Sequence, residues 1–139
     1  GLDGRIVLDR GDAEHLDVAT GSIDVVTVAF GVRNFGDLDA GLREMARTLR
    51  PGGRVVILEF SRPANPLFRA VYEFYTYRIL PRIGGMVSRD RRAYEYLPAS
   101  VSEFPLPDAF LHRMEAAGFR NCKARSQSFG IAQIYIGER

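Results

Sequence analysis

Cysteine is nearly missing from this 139-residue sequence, and Cys122 stands alone. No internal disulfide can staple the fold, and no thiolate zinc site can be assembled. Lysine is just as scarce, since Lys123 is the one lysine among 19 basic residues; coding bias explains that as readily as function does. No apolar run approaches the ~18 residues needed to cross a bilayer. The first five residues, Gly1-Leu2-Asp3-Gly4-Arg5, carry neither the basic nor the apolar stretch of a secretory leader. A lone thiol without a leader predicts a cytoplasmic protein. Repeats, low-complexity tracts and Ser/Gly linkers are absent. Helix-turn-helix, zinc-finger and RNA-binding signatures are missing too, so no nucleic-acid partner is expected. His15 and His112 stand at no ligand spacing with other metal-binding side chains, which predicts two solvent-facing histidines and no metal.

What is present fits one globular domain: 46% hydrophobic and 26% charged residues, with 14 Gly and 7 Pro. That is too apolar for a disordered chain. The net charge of +2 hides an asymmetry, because residues 1–60 sum to −3 and residues 61–139 to +5. Arg78, Arg82, Arg89, Arg91 and Arg92 lie in the basic part. They suit an anionic lipid surface or an anionic substrate, with coding bias again the plainer account.

Hydrophobic periodicity predicts a strand over Arg5–Asp9 and a second over Ile23–Phe30, β-branched on both faces. Asp37 is placed to cap a helix running to about Arg50, with Leu38, Leu42, Met45, Ala46 and Leu49 in one stripe. Pro51-Gly52-Gly53 ends it, with glycine available for a left-handed residue. Arg54–Phe60 reads as the next strand, completing a βαβ unit and hence a parallel sheet. From Pro66 to Leu80 a helical pattern carries Phe68, Tyr72, Phe74, Tyr75 and Tyr77, either core or ligand cage. Residues 81–105, broken by Pro81, Gly84-Gly85, Pro98 and Pro105, read as irregular or short-helical. A helix over Asp108–Ala117 turns Leu111 and Met114 inward, and strands over about 119–126 and 129–137 close an antiparallel hairpin, with Cys122 expected as a small buried residue. The predicted fold class is α/β, parallel strands ending in an antiparallel hairpin.

In an open parallel sheet, ligands gather beyond the carboxyl ends of the strands. That points to Gly11-Asp12-Ala13-Glu14, to Ala29-Phe30-Gly31-Val32-Arg33-Asn34 and to Glu59-Phe60-Ser61. A carboxylate accepting from an exocyclic amine and a backbone N–H donating to a ring nitrogen would recognise adenine, and Asp12 with Ala13 can supply both. An Asp in such a loop is more often a helix cap than a ligand contact. Gly31 permits a sharp turn or a close backbone approach. Glu59 either touches substrate or makes a structural hydrogen bond.

Taken together, "GDAEHL", "DVVTVAFGVRN", "RTLRPGGRVVILEFSRP", "YRILPRIGGMVSRDRRAYEYLPASVSEFP" and "FGIAQIYIG" resemble the demethylmenaquinone / ubiquinone-biosynthesis C-methyltransferase family, from about residue 5 to 137. "PGGRVVILE" alone would suit many methyltransferases; "AFGVRN" with "AYEYLPASVSEFP" narrows the match. The resemblance implies a class I, Rossmann-like S-adenosylmethionine (SAM) methyltransferase sheet and SAM as cofactor. Its substrate would be a polyprenyl quinol, methylated on a ring carbon. It places Asp12, Ala13, Ala29, Phe30 and Gly31 at the cofactor, with Ala29, a serine in many relatives, keeping only a backbone role. Arg33 and Asn34 fall at the reacting centre, where an always-protonated arginine suits charge stabilisation better than base action. Tyr94, Tyr96 and Ser100 either line the quinol pocket or pack as a lid. The glycine-rich loop of such enzymes has no counterpart here, so the sequence is expected to be a C-terminal portion. At roughly 30 residues per βαβ unit, a further ~80–100 residues would precede it and be needed for activity. Other readings are a non-catalytic half-domain acting in binding or assembly, with or without self-association, and a related small-molecule methyltransferase, which "AYEYLPASVSEFP" disfavours. A bilayer-borne quinol implies peripheral contact at the inner face of the membrane.

Overall fold

Alternation in the strands sorts their residues onto two faces, and the computed structural model, which describes residues 4–63, 65–79 and 91–139 without the side chains of 91–95, follows it closely. Strand β1 (Ile23–Ala29) runs parallel to β2 (Leu49–Phe60), with Val26 opposite Val55 and Val28 opposite Ile57. Between them lies helix α1 (Leu38–Thr48), begun by Asp37, whose carboxylate accepts from the Ala40 N–H at 2.9 Å. The helix stops two residues short of Arg50, and Gly52 takes the left-handed φ of +76° beyond it. This is the βαβ unit that the periodicity predicts.

Strand β2 then pairs antiparallel with β4 (Ala132–Glu138), and β4 with β3 (Arg120–Gln127), giving the order β1-β2-β4-β3. The hairpin is joined by a turn over Ser128–Gly130, longer than expected, with Ser128 and Phe129 at φ of +48° and +58°. Helix α2 (Pro66–Phe74) is capped by Asn65 and continues as a π-helical turn over Tyr75–Ile79; none of its nine residues is buried. Helix α3 covers Arg91–Glu103 and α4 covers Pro107–Ala116.

Two expectations of secondary structure fail. Residues 5–9 form no strand. They carry Ile6, Val7 and Leu8 at 57%, 83% and 91% exposure. A lone extended segment has no ladder to join, and local pattern cannot supply one. The stretch read as irregular holds the 13-residue α3, running straight through Pro98. A proline there removes one backbone bond, but it brings Pro98, Ser100, Val101 and Phe104 into buried positions that offset the loss. Arg82 and Arg89, with the side chains of Arg91, Arg92 and Tyr94, lie outside the described residues.

Helices α1 and α4 cover one face of the sheet. The core there joins Leu42, Met45, Ala46 and Leu49 to Val55, Ile57, Phe110, Met114, Phe119 and Tyr135. On the other face Val25 is 52% exposed, and Val56, Leu58, Ile134 and Ile136 are half-buried. His15 and His112 are exposed, as expected. Cys122 is half-buried rather than enclosed; burial, then the nearby Glu115 carboxylate, push its thiol up to about 11. Phe110 is fully buried between the rings of Phe104 (5.0 Å) and Tyr135 (4.5 Å). Phe110→Ala should therefore lower stability by about 3–5 kcal/mol, read as a reduced urea midpoint with unchanged slope.

Candidate functional site

The carboxyl end of β1 does the first positioning. After Ala29 the chain turns at Phe30, whose φ of +55° is left-handed, whereas Gly31 sits at an ordinary −117°. The residue expected to make the sharp turn is thus displaced by one, onto an aromatic. Phe30 stacks on Phe60 at 4.4 Å, and its N–H reaches the Leu58 carbonyl at 2.8 Å. A single 3-10 turn, Val32–Asn34, follows; Val32 is 1% exposed and anchors it in the core.

Two hollows adjoin that turn. One, of about 600 Å³, is lined by Arg10, Gly11, Asp12, Ala13 and Glu14 on one side and by Asn34, Phe35 and Gly36 on the other. The second, of about 320 Å³, runs from Val32, Arg33 and Phe35 to Tyr96, Ser100 and Glu103. Phe35 is common to both. The Tyr96 hydroxyl donates to Asn34 Oδ1 at 2.7 Å across the boundary. So Asp12, Ala13 and Asn34 share one hollow, and Arg33, Tyr96 and Ser100 share its neighbour. Ala29, Phe30 and Gly31 stand at the strand end beside them without lining either.

Local hydrogen bonds explain why a segment without strand structure stays near α1. Asp12 Oδ1 accepts from the Glu14 N–H at 3.0 Å, a side-chain turn that leaves Oδ2 outside it. Glu14 Oε1 accepts from the Asp37 N–H at 2.9 Å. Glu44 on α1 accepts from the Leu16 N–H (2.9 Å) and from Arg47 (2.7 and 2.8 Å), while Arg47 donates to the Leu16 carbonyl and Thr20. Phe35 is held from beneath: a Cβ on Gly41 would fall 2.4 Å from its ring, so the helix accepts a glycine to let the ring lie flat.

Arg33 is the most constrained group. Its Nη1 donates to Glu59 Oε1 at 2.5 Å and to the Phe30 carbonyl at 2.8 Å, and its Cζ lies 5.4 Å from the centre of the Phe60 ring. Glu59 is fully buried. That resolves the two readings of Glu59 at the level of geometry: the carboxylate binds Arg33 and lines neither hollow. Sequence reasoning missed this pairing, although a signal existed. Val55, Ile57 and Glu59 share one strand face, and an acid at a core position needs a cation. Glu14 lies in the segment read from the strand ends, whereas Phe35 and Glu103 were missed as wall residues, with no comparable signal.

A parallel pair extended by an antiparallel hairpin, with hollows at a strand's carboxyl end, belongs to the Rossmann-like class of α/β folds. Solved structures share it: a SAM-dependent methyltransferase from Thermotoga maritima (TM-score 0.62, 17% identity, 92% of this chain and 61% of that one) and the [4+2]-cyclase SpnF (TM-score 0.69, 16% identity, 99% and 58%). Within that class, the model of the ubiE/COQ5 methyltransferase family matches residues 3–139, and the chain belongs to that family. It is 49% identical over 136 residues to the ubiquinone/menaquinone biosynthesis C-methyltransferase UbiE of Geobacter sulfurreducens, covering 98% of this chain and 53% of the relative. It is 45% identical over 139 residues to the demethylmenaquinone methyltransferase of Thermus thermophilus, covering 100% and 62%. The chain thus spans little more than half the length of these curated relatives.

The hydrogen-bonded Arg47 guanidinium is the largest influence on Glu44, whose carboxyl is held down at about 2 from an ordinary 4.5. A depressed carboxylate lends stability above its unfolded value and loses it as pH falls through the folded one. Wild type should therefore exceed Glu44→Gln in urea midpoint at pH 6, with the gap closing between about pH 4.5 and 2.

Proposed function

We propose that this chain forms the adenine-facing and quinol-facing portion of a SAM-dependent methyltransferase that methylates a ring carbon of a polyprenyl quinol, as in converting a demethylmenaquinol to a menaquinol. The observation that carries this reading is the pair of adjoining hollows, one presenting Asp12 and the other presenting Arg33 clamped by Glu59.

The residues present fit the adenine end of SAM. The 600 Å³ hollow lies within the ~300–1,000 Å³ of small-molecule sites, and Asp12 is exposed with one oxygen free of its turn bond. Asp12 would accept from the exocyclic amine and Ala13 would donate through its N–H, with the backbone of Ala29, Phe30 and Gly31 alongside. When bound, SAM supplies an electrophilic methyl group. The chain's own residues act on the acceptor. A quinol ring carbon becomes nucleophilic as its neighbouring hydroxyl loses a proton to water, and negative charge gathers on that oxygen. The Arg33 guanidinium can hold that charge, while Phe35, Leu38 and Phe104 give the ring an apolar wall. Asn34, tied to Tyr96, joins the two hollows, and Ser100 lines the second of them with Arg33.

In the intact protein, Arg33→Ala should lower kcat for quinol methylation by about 10²–10³-fold while SAM affinity stays within about twofold. Asp12→Ala should raise the SAM Kd roughly tenfold by isothermal titration, the worth of one charge-assisted bond. Unchanged turnover in the first and unchanged affinity in the second would favour a non-catalytic binding or assembly module.

Peripheral contact with the membrane belongs to the same reading. No helix among the described residues is long and apolar enough to cross a membrane. Helix α2, however, carries Leu67, Val71 and Phe74 at 74%, 61% and 62% exposure, within the part of the chain that sums to +5. Co-sedimentation with vesicles should rise with anionic lipid content and fall as salt increases; binding indifferent to both removes the contact.

A further inference from the structure

Strand β2 places Val55, Ile57 and Glu59 on the face that α1 and α4 cover, and all three are fully buried. A carboxylate taken wholly out of water is tolerated only where donors replace its hydration. Glu59 has three: Arg33 Nη1 and the Phe60 N–H on Oε1, at 2.5 and 2.9 Å, and the Arg33 N–H on Oε2 at 3.3 Å. Two of the three come from Arg33, so the carboxylate grips that residue by backbone and side chain at once. The other groups nearby do not compete. Gln133 is the cross-strand partner of Glu59 but its side chain makes no bond to the carboxylate, and the Tyr135 hydroxyl is buried without a partner among the described residues. Burial, and then the Glu59 charge, push the Tyr135 phenol well above its usual range, so it stays protonated.

From the arginine's side the clamp is one-edged. Nη1 is shared between Glu59 and the Phe30 carbonyl, which the left-handed backbone of Phe30 turns toward it. Nε is buried and has no partner among the described residues. Nη2 makes no bond among the described residues and is not enclosed, and Arg33 lines the 320 Å³ cavity. One nitrogen is therefore left for a ligand oxygen, its direction set from behind.

We propose that Glu59 is the positioning residue for Arg33: it fixes the direction of Nη2 and balances the guanidinium charge, so that the cavity presents an aimed donor instead of a mobile cation. The consequence for catalysis rests on the methyl-transfer reading above, whereas the clamp itself does not. Glu59 lines neither hollow, so it acts through Arg33 alone.

The test uses the intact protein with Glu59→Gln, Glu59→Asp and Glu59→Leu. Nitrogen-edited NMR of the guanidinium, assigned by loss in Arg33→Lys, should show a slowly exchanging Arg33 Nε–H in wild type and in Glu59→Asp. The signal should vanish in Glu59→Gln and Glu59→Leu. Steady-state kinetics should show kcat lowered about 10–100-fold in Glu59→Gln with the quinol KM within about threefold, and partly restored in Glu59→Asp. A signal that survives in Glu59→Gln overturns the clamp. A signal lost with kcat unchanged overturns its part in the reaction. Losses of kcat that merely follow lowered melting temperatures, alike in all three variants, would leave Glu59 a structural residue and overturn the proposal. If wild type transfers no methyl group to a quinol, the functional reading falls, while the NMR comparison still decides the clamp.

Discussion

An acid stands where the alternation of β2 calls for an apolar side chain, and much of the site's geometry follows from accommodating it. Glu59 continues the buried series Val55 and Ile57, so its charge must be met from within the protein. The cation comes from the segment leaving β1, the parallel neighbour of β2. For Arg33 to reach Glu59, the chain must turn back sharply at Phe30 and lay Val32 into the core. That one requirement sets where Asn34 and Phe35 emerge. The wall between the hollows is thus placed by the ion pair beneath it.

A second set of bonds brings the other wall into register. Residues 10–16 have no ladder to hold them; their attachment runs through carboxylates instead. Glu14 reaches the backbone of Asp37, and Glu44, paired with Arg47, reaches the backbone of Leu16. Both attachments end on α1 or at its N-cap, the helix whose Gly41 supports the ring of Phe35. Helix α1 therefore carries the loop bearing Asp12 and the aromatic facing it. A βαβ unit needs this helix to cover the sheet; here the same helix also holds together the two walls of the larger hollow.

What could be read from the residues divides along the range of the interactions. Asp37, the Leu42–Met45–Ala46–Leu49 stripe and Pro51-Gly52 act within a few positions of themselves, and they defined α1 and its two strands. The hairpin was legible for the same reason, apart from its longer turn. Residues 5–9 carry an equally good local pattern, but a strand is completed only by a neighbour, and pairing is not encoded in alternation. Pro98 misled in the opposite sense: as a local signal it ends helices, and burial around Ser100, Val101 and Phe104 overrides it. Gly31 drew the turn because glycine is the usual left-handed residue. The stacking of Phe30 on Phe60 and its carbonyl bond to Arg33 hold the unusual conformation one position earlier. Asp12, Arg33, Tyr96 and Ser100 were found as individual residues. The grouping into two hollows required contacts across 62 positions of sequence, as between Asn34 and Tyr96.

The charge balance of the clamp bears on the kind of acceptor it suits. A free arginine in a cavity wall attracts any anion and binds a charged ground state as firmly as a charged transition state. An arginine already matched by a buried carboxylate offers little net attraction at a distance, but it still presents a directed N–H at contact. On the proposed reading, a quinol arrives neutral and gathers negative charge on oxygen only as its ring carbon is activated. The matched donor therefore gains most at the stage where charge develops, and that difference between stages accelerates a reaction. The fold alone cannot make this distinction, since one sheet architecture serves many chemistries. It rests on Glu59 being buried behind Arg33, and on Glu103, Tyr96 and Ser100 bounding the space in front.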